Sequence, residues 1–172
     1  MQIGIPQILN LGLMILLSAL VGCSGYRLGL AGDPPVDSIY IEPIQNKTDA
    51  AQIIVPLTNA LVEGFISDGR VLPTSFENQA DATLQVRLIR FERFVGAADP
   101  RDTALGESFR AVLHGRASLI QADGTPLFQD RPFRVESTTL VREDLVQAEY
   151  QNMPVISRDL AEKIVRTVVN TW

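Results

Sequence analysis

Hydrophobic and polar residues alternate in four stretches of this chain and follow a helical spacing in two others. Apolar residues three or four apart predict one helix from about Gln52 to Asp68 and a second from Pro154 to Val168. The predicted order is β-α-β-β-β-α, which favours an α+β fold: a two-layer sandwich with a mainly antiparallel sheet packed by two helices. Alternation with strong β-formers predicts strands over 38–42, 82–95, 109–120 and about 126–140.

Two features predict irregular geometry inside these elements. Proline is tolerated in the first turn of a helix, so Pro56 indicates either that the regular helix begins near Val55 or that the segment is kinked there. We prefer a helix that begins near Gln52 with a distorted first turn. Phe91 and Phe94 cannot share a face of one strand. A bulge or bend near Ile89 would account for this change of phase.

Prolines and turn residues predict further boundaries. Pro132 indicates an edge strand or a bulge, and Pro154 is placed for the first turn of the second helix. Residues 96–106 predict a polar, hairpin-like loop, and Asp123-Gly124 a tight turn. The apolar positions of these elements predict a core made of Leu57, Leu61, Phe65, Leu84, Val86, Leu88, Leu113, Leu119, Ile156, Leu160, Ile164 and Val168.

The N-terminal region has the pattern of a targeting signal. Leu11 to Val21 is uncharged and apolar, and it is shorter than the roughly 20 residues of a bilayer span. It ends in Leu20-Val21-Gly22-Cys23, which resembles the lipobox of bacterial lipoproteins. We expect residues 1–22 to be a lipoprotein signal peptide, although Met1 to Asn10 lacks the usual basic residues.

The lipobox resemblance also predicts the organisation of the mature chain. Cys23, the only cysteine, would be the lipidation site, and several acyl chains on it would make membrane attachment durable. Residues 23–35 would form a lipid-anchored tether, and residues 36–172 a single α+β domain. Ser24, by similarity to lipoprotein sorting rules, favours the periplasmic side of the outer membrane.

Charge is distributed unevenly along the chain. The formal net charge is −5, which disfavours a nucleic-acid binder. Residues 84–142, however, contain nine Arg and seven acidic residues, so this segment is locally +2. Arginine suits bidentate contacts with phosphate or carboxylate groups. Each of these arginines could also be a solvated strand residue paired with a neighbouring acid.

The sequence offers little for catalysis. His114 is the only histidine and lies in the middle of a predicted strand, so no histidine base stands beside a nucleophile. A metal site would have to be built from carboxylates, and no glycine-rich phosphate loop is present. We therefore predict a binding or structural lipoprotein that is not an enzyme and needs no metal or cofactor. A hydrolytic lipoprotein would require a catalytic site that the sequence does not contain.

Several short motifs after the cysteine are similar to the LptE family of lipopolysaccharide-assembly lipoproteins. The similarity spans nearly the whole mature chain and includes the predicted order of elements. The motifs are Gly25-Tyr26-Arg27-Leu28, Ser38-Ile39-Tyr40-Ile41-Glu42-Pro43, Asn46-Lys47-Thr48, Leu57-Thr58-Asn59-Ala60-Leu61, Asp68-Gly69-Arg70 and Ala80-Asp81-Ala82-Thr83-Leu84.

The resemblance implies a function and a set of contacts. It implies a lipoprotein that plugs an LptD-type outer-membrane β-barrel and helps lipopolysaccharide reach the outer leaflet. Cationic side chains would meet lipid A phosphates, and the candidates are Arg87, Arg90, Arg93, Arg116, Arg131 and Arg134. The alternative is an auxiliary periplasmic lipoprotein that serves a lipid transporter of the inner membrane.

Overall fold

The part of the chain that the structure describes forms one six-stranded sheet with two helices packed against it. The computed structural model describes residues 36–96, 108–140 and 144–171. In chain order the elements are β1 (Ser38–Ile41), β2 (Gln45–Asn46), α1 (Ile54–Asp68), β3 (Leu72–Thr74), β4 (Ala82–Gly96), β5 (Ser108–Gln121), β6 (Pro126–Leu140) and α2 (Leu145–Val169). The α+β class and its two layers are as predicted from the pattern.

The sheet is mixed, because three short strands run parallel to their neighbours. The order is β3-β1-β4-β5-β6, and β2 pairs with β4. The long pairs β4/β5 and β5/β6 are antiparallel, whereas β1 pairs in parallel with β3 and β4. The sequence pattern misses β2 and β3, since strands of two and three residues are too short to show alternation.

Hydrogen bonds to Asp81 connect the start of β1 to the start of β4. Its Oδ2 atom accepts hydrogen bonds from the backbone N–H groups of Asp37 and Ser38, at 3.0 and 2.9 Å, and from the Ser38 hydroxyl at 2.7 Å. These bonds stabilise the charged carboxylate, chiefly through the Ser38 hydroxyl, and lower the pKa of Asp81.

Helix α1 has the irregular start that Pro56 predicts. A 3₁₀ turn, Ala51–Ile53, precedes it, and Pro56 is the third residue of the helix. The N–H groups of a first turn have no partner within the helix, so proline costs no hydrogen bond there. At the other end Gly69 adopts φ 75° and donates its N–H to the Phe65 carbonyl at 3.0 Å, a left-handed cap that favours glycine.

Helix α2 starts earlier than the sequence predicts. It begins at Leu145, so the placement of Pro154 in its first turn is wrong. The start is set by Asp144, which is extended and whose Oδ1 accepts the Gln147 N–H at 2.7 Å, forming an N-cap. Pro154 lies inside the helix, where it offers no N–H to the Tyr150 carbonyl.

A bulge in β4 changes which side chains face the helices. The register with β5 shifts between Leu88 and Arg90, which confirms the irregularity predicted near Ile89. Beyond the shift Phe91 is buried and Phe94 is exposed, as their opposite faces require. Pro132 lies in β6, which forms an edge of the sheet, as predicted.

The core lies between the sheet and the two helices. All twelve residues predicted for it are buried. Two polar side chains, Asn152 and Ser157, are also buried in α2. Asn152 Oδ1 accepts the Ser137 hydroxyl at 2.5 Å, whereas Asn152 Nδ2 and Ser157 Oγ have no hydrogen-bond partner among the described residues.

Some predictions fall on residues outside those described. They are the signal peptide, Cys23 and the tether up to residue 35, and the polar loop over 96–106, apart from Gly96 at the end of β4.

Candidate functional site

The sheet face that points away from the helices carries rows of charged side chains. We call it the open face. It is built by β4, β5 and β6, whose alternate residues face the core. Along these strands the register forms four rows: Arg87–Arg116, Arg90–His114–Arg134, Glu92–Val112–Glu136 and Phe94–Arg110–Thr138. Two basic rows therefore lie side by side, followed by an acidic row.

The acidic row is paired with the rows on both sides of it. Glu92 Oε2 lies 2.9 Å from His114 Nε2, and Glu92 Oε1 lies 3.5 Å from Arg90 Nη1. Glu136 accepts hydrogen bonds from Arg134 at 2.8 Å and from Arg110 at 3.3 Å. The His114 contact lowers the pKa of Glu92, and the Arg134 contact lowers the pKa of Glu136. Both carboxylates are therefore charged at neutral pH.

Arg87 and Arg116 form a like-charged pair at one end of the open face. They lie opposite each other in the β4/β5 register, an arrangement that is unfavourable without a counter-ion. Asp130 of β6 supplies the charge: its Oδ2 accepts from Arg116 Nη1 at 3.0 Å, and its Oδ1 lies 3.8 Å from Arg87 Nη1. All three side chains are about half exposed.

The open face is positively charged in total. Five arginines and three carboxylates of β4, β5 and β6 lie across it and at its margin, which leaves an excess of two positive charges on these strands. Glu42, which lines the same pocket as Arg87 and Arg116, reduces this excess to one. The side chains stand on long paired strands, so their spacing is set by the sheet. The arginines are Arg87, Arg90, Arg110, Arg116 and Arg134, and the carboxylates are Glu92, Asp130 and Glu136. Such a face suits an anionic ligand with several separated charges.

Four of the six candidate arginines lie on the open face, and Arg93 does not. Arg93 lies on the helix side of β4, where Nε and Nη2 donate to the Glu149 carboxylate at 2.6 and 2.9 Å. Its Nη1 donates to Asp49 at 2.7 Å, and its guanidinium lies 4.6 Å from the centre of the Phe91 ring. These contacts join β4 to α2 and to the segment before α1.

Arg131 also stands apart from the open face. It is exposed, and its register partner Ala117 faces the helices. Among residues 36–96, 108–140 and 144–171, none of the ion pairs involves Arg131. Cys23 is outside the described residues.

The structure adds two residues that sequence reasoning left out of the site. His114 lies in the middle of a basic row, and Arg110 stacks 4.4 Å from the centre of the Phe94 ring. Both follow from the alternation of β5, which places them on one face with Arg116. What the sequence could not give was the pairing with Glu92 and Glu136 on the neighbouring strands.

A cluster of exposed apolar side chains lies where β6 ends and α2 begins. We call it the apolar end. It consists of Leu140, Leu145, Val146 and Tyr150, which are 59%, 41%, 79% and 68% exposed. Large apolar side chains exposed together are a common mark of a protein interface.

No helix in 36–96, 108–140 or 144–171 is long and apolar enough to cross a membrane. Within the same residues no three His, Cys, Asp or Glu side chains are grouped so that they could hold a metal ion.

The fold is shared with several bacterial proteins of known structure. A minor lipoprotein from Acinetobacter baumannii is 13% identical, with a TM-score of 0.50, over 77% of this chain and 91% of that one. A protein from Xanthomonas campestris is 12% identical, with a TM-score of 0.54, over 80% and 86% of the two chains. A dodecameric PelC from Paraburkholderia phytofirmans is 11% identical, with a TM-score of 0.52, over 81% and 93%. At these identities the likeness shows the fold alone.

The sequence itself identifies the family. Residues 36–171 match the family model LptE, described as lipopolysaccharide-assembly, and the chain belongs to this family. It is therefore an outer-membrane-associated lipoprotein of the lipopolysaccharide-transport system, from a family of non-enzymatic lipoproteins. No curated protein matches the sequence.

Proposed function

We propose that this lipoprotein plugs an LptD-type outer-membrane β-barrel and presents its open face to the phosphate groups of lipopolysaccharide. Cys23 carries the acyl chains that hold it at the periplasmic leaflet, and residues 23–35 connect this anchor to the domain. The observation that carries the proposal is the pair of adjacent basic rows on the open face. Family membership provides the biological setting.

The charge pattern of the open face supports a phosphorylated ligand. Arg87, Arg90, Arg116 and Arg134 project from three neighbouring strands of about 15 residues, roughly 50 Å in length. Guanidinium groups bind phosphate oxygens in a bidentate fashion, and a row of them can contact separate phosphates of one glycolipid. The acidic row limits the net positive charge, so the face does not become a general polyanion binder.

The apolar end supports a protein partner. Leu140, Leu145, Val146 and Tyr150 are exposed, and tyrosine is enriched at interface centres. The lumen of a large barrel is polar, which suits the remaining charged surface of the domain. In this proposal the apolar end packs against the barrel.

The test is affinity purification from detergent-solubilised native membranes, with a C-terminal tag and a high-salt wash. We expect a large outer-membrane β-barrel in stoichiometric amount with the native chain. Val146→Asp together with Tyr150→Asp should reduce its recovery at least tenfold, since both charges would be buried in the contact.

The matched control is Ile66→Asp, which places a charge at another apolar position, 60% exposed, on α1. Its recovery of the barrel should equal that of the native chain. Purification of the lipoprotein alone would contradict the plug, and recovery of an inner-membrane transporter would support the auxiliary lipoprotein instead.

A further inference from the structure

The Arg87–Arg116 pair has an unusual counter-ion. Asp130 has φ 54°, and it is the only described residue other than glycine with positive φ. It lies on β6 in a region where the register with β5 shifts, between the partners of Ala117 and Leu119. Its N–H donates to Ser118 Oγ at 2.9 Å, and its carbonyl accepts from Arg116 Nη1 at 3.2 Å. The backbone is thus shaped so that this carboxylate reaches both arginines.

The Asp130 carboxylate lies closer to Arg116 than to Arg87. Arg116 makes a hydrogen bond of 3.0 Å with Asp130, whereas the distance from Arg87 Nη1 to the same carboxylate is 3.8 Å, too long for one. The hydrogen bond that the Arg87 side chain does make, from Nε to Gln45 Oε1, is long at 3.4 Å. Donor groups of Arg87 therefore remain available to a larger anion.

The surrounding pocket is electrically neutral while Asp130 occupies it. Its lining includes Arg87, Arg116, Asp130 and Glu42, and Glu42 accepts a hydrogen bond from Gln85 at 2.9 Å. Without the Asp130 carboxylate the same lining has an excess of one positive charge. Ion pairs this exposed contribute little net stability, so an incoming anion can replace the carboxylate at small cost.

We propose that Arg87 and Arg116 form a binding site for a phosphate monoester, and that the Asp130 carboxylate occupies this site until the phosphate displaces it. The inference rests on the proposed function for its ligand, a phosphorylated glycolipid. A phosphate monoester has a charge of about −1.5 to −2 and three terminal oxygens, so it can bond both guanidinium groups where a single carboxylate bonds one. Asp130 is then an internal competitor that sets the affinity of the site.

The test compares ligand affinity in variants of the full chain purified in detergent. Asp130→Asn removes the charge but keeps a residue that tolerates positive φ, and Asp130→Gly removes the side chain and the backbone cost together. Both should bind phosphorylated lipopolysaccharide about fivefold more tightly than the native chain. Arg87→Gln with Arg116→Gln should abolish that gain. Dephosphorylated lipopolysaccharide should bind the native and Asp130 variants equally.

Glu162→Gln is the matched control for a general change in net charge. Glu162 is an exposed carboxylate paired with Arg166 on α2 and lies outside the pocket of Arg87 and Arg116, so its loss alters the total charge by the same amount away from the proposed site. Its affinity for lipopolysaccharide should equal that of the native chain. A gain as large as that of Asp130→Asn would overturn the inference.

A second readout separates this inference from the proposed function. Titration with inorganic phosphate, followed through the Nε–Hε NMR signals of Arg87 and Arg116, should move both signals, and at lower phosphate concentration in Asp130→Asn. If both signals shift with phosphate but lipopolysaccharide does not bind, the proposed lipid function is refuted and the proposed anion site is supported. Lipopolysaccharide binding that depends on Arg90 and Arg134 but is unchanged by both Asp130 variants would overturn the anion site and keep the lipid role.

Discussion

Replacing Arg93 should damage the fold, while replacing Arg90 should not. Arg93→Ala removes two charge-assisted hydrogen bonds to Glu149, one to Asp49 and the contact with the Phe91 ring. The side chains of Arg93 and Glu149 are only 31% and 17% exposed, so this part of the network is partly shielded from solvent. Arg93 is therefore expected to act as a structural link between the sheet and the helices.

The size of the expected loss in the free energy of unfolding follows from these contacts. The Glu149 pair should contribute about 1.5–2 kcal/mol, because it is bidentate and partly buried. The Asp49 pair, 69% exposed on the acid side, should contribute about 0.3 kcal/mol, and the aromatic contact about 0.5 kcal/mol. We expect a loss of about 2–3 kcal/mol in the free energy of unfolding. For a domain of this size that corresponds to a fall in Tm of about 6–10 °C.

The assay is thermal and urea unfolding of the variants followed by circular dichroism. Arg93→Lys should recover less than half of the loss, since lysine cannot reproduce the bidentate geometry. Arg90→Ala is the control: its one contact is 3.5 Å long and its side chain is 67% exposed, so the change should stay below about 0.5 kcal/mol. An Arg93→Ala variant as stable as the native chain, with weakened lipopolysaccharide binding, would refute the structural role.

Three further outcomes are expected. Ser157→Ala should leave stability unchanged or raise it by up to about 1 kcal/mol in urea unfolding, because the buried hydroxyl has no partner among the described residues; a loss above 1 kcal/mol would contradict this. Stability should fall as pH drops from about 5 to 3, since the folded-state pKa values of Asp81, Glu92 and Glu136 are lowered and their stabilising contribution exists only while they are charged. Asp81→Asn should lower Tm at pH 7 and weaken that pH dependence, and an unaltered pH profile would argue against the Asp81 contacts. Cys23→Ala should abolish metabolic labelling with radioactive palmitate, and retained labelling would place the acyl groups elsewhere.

The sequence predicts best the helices and strands that are long enough for their hydrophobic periodicity to be recognised. β4 up to its bulge and β5 alternate, and the twelve core positions follow from these two alternations and from two helical stripes. The bulge in β4 can also be predicted from the sequence, because Phe91 and Phe94 interrupt the alternation of apolar and polar residues. The sequence fails at α2, where Pro154 fits the pattern of a first-turn residue but the cap at Asp144 starts the helix about two and a half turns earlier.

The candidate site is harder to predict because it depends on contacts between strands. Residue type and alternation place Arg87, Arg90 and Arg116 on strands, but they do not separate Arg93, which the bulge turns toward Glu149. Nor does the sequence pair Asp130 with arginines 14 and 43 residues before it. That pairing follows from β-sheet register, which local sequence does not specify.

The most direct test of the central claim is photocrosslinking in living cells from single positions on the two sides of the domain. A photoreactive amino acid at Thr138, exposed on the open face, should capture lipopolysaccharide, and one at Arg158, exposed on α2, should not. Capture from Arg158 with none from Thr138 would contradict the account, because it would place the lipid against the helices and leave the basic rows without their ligand.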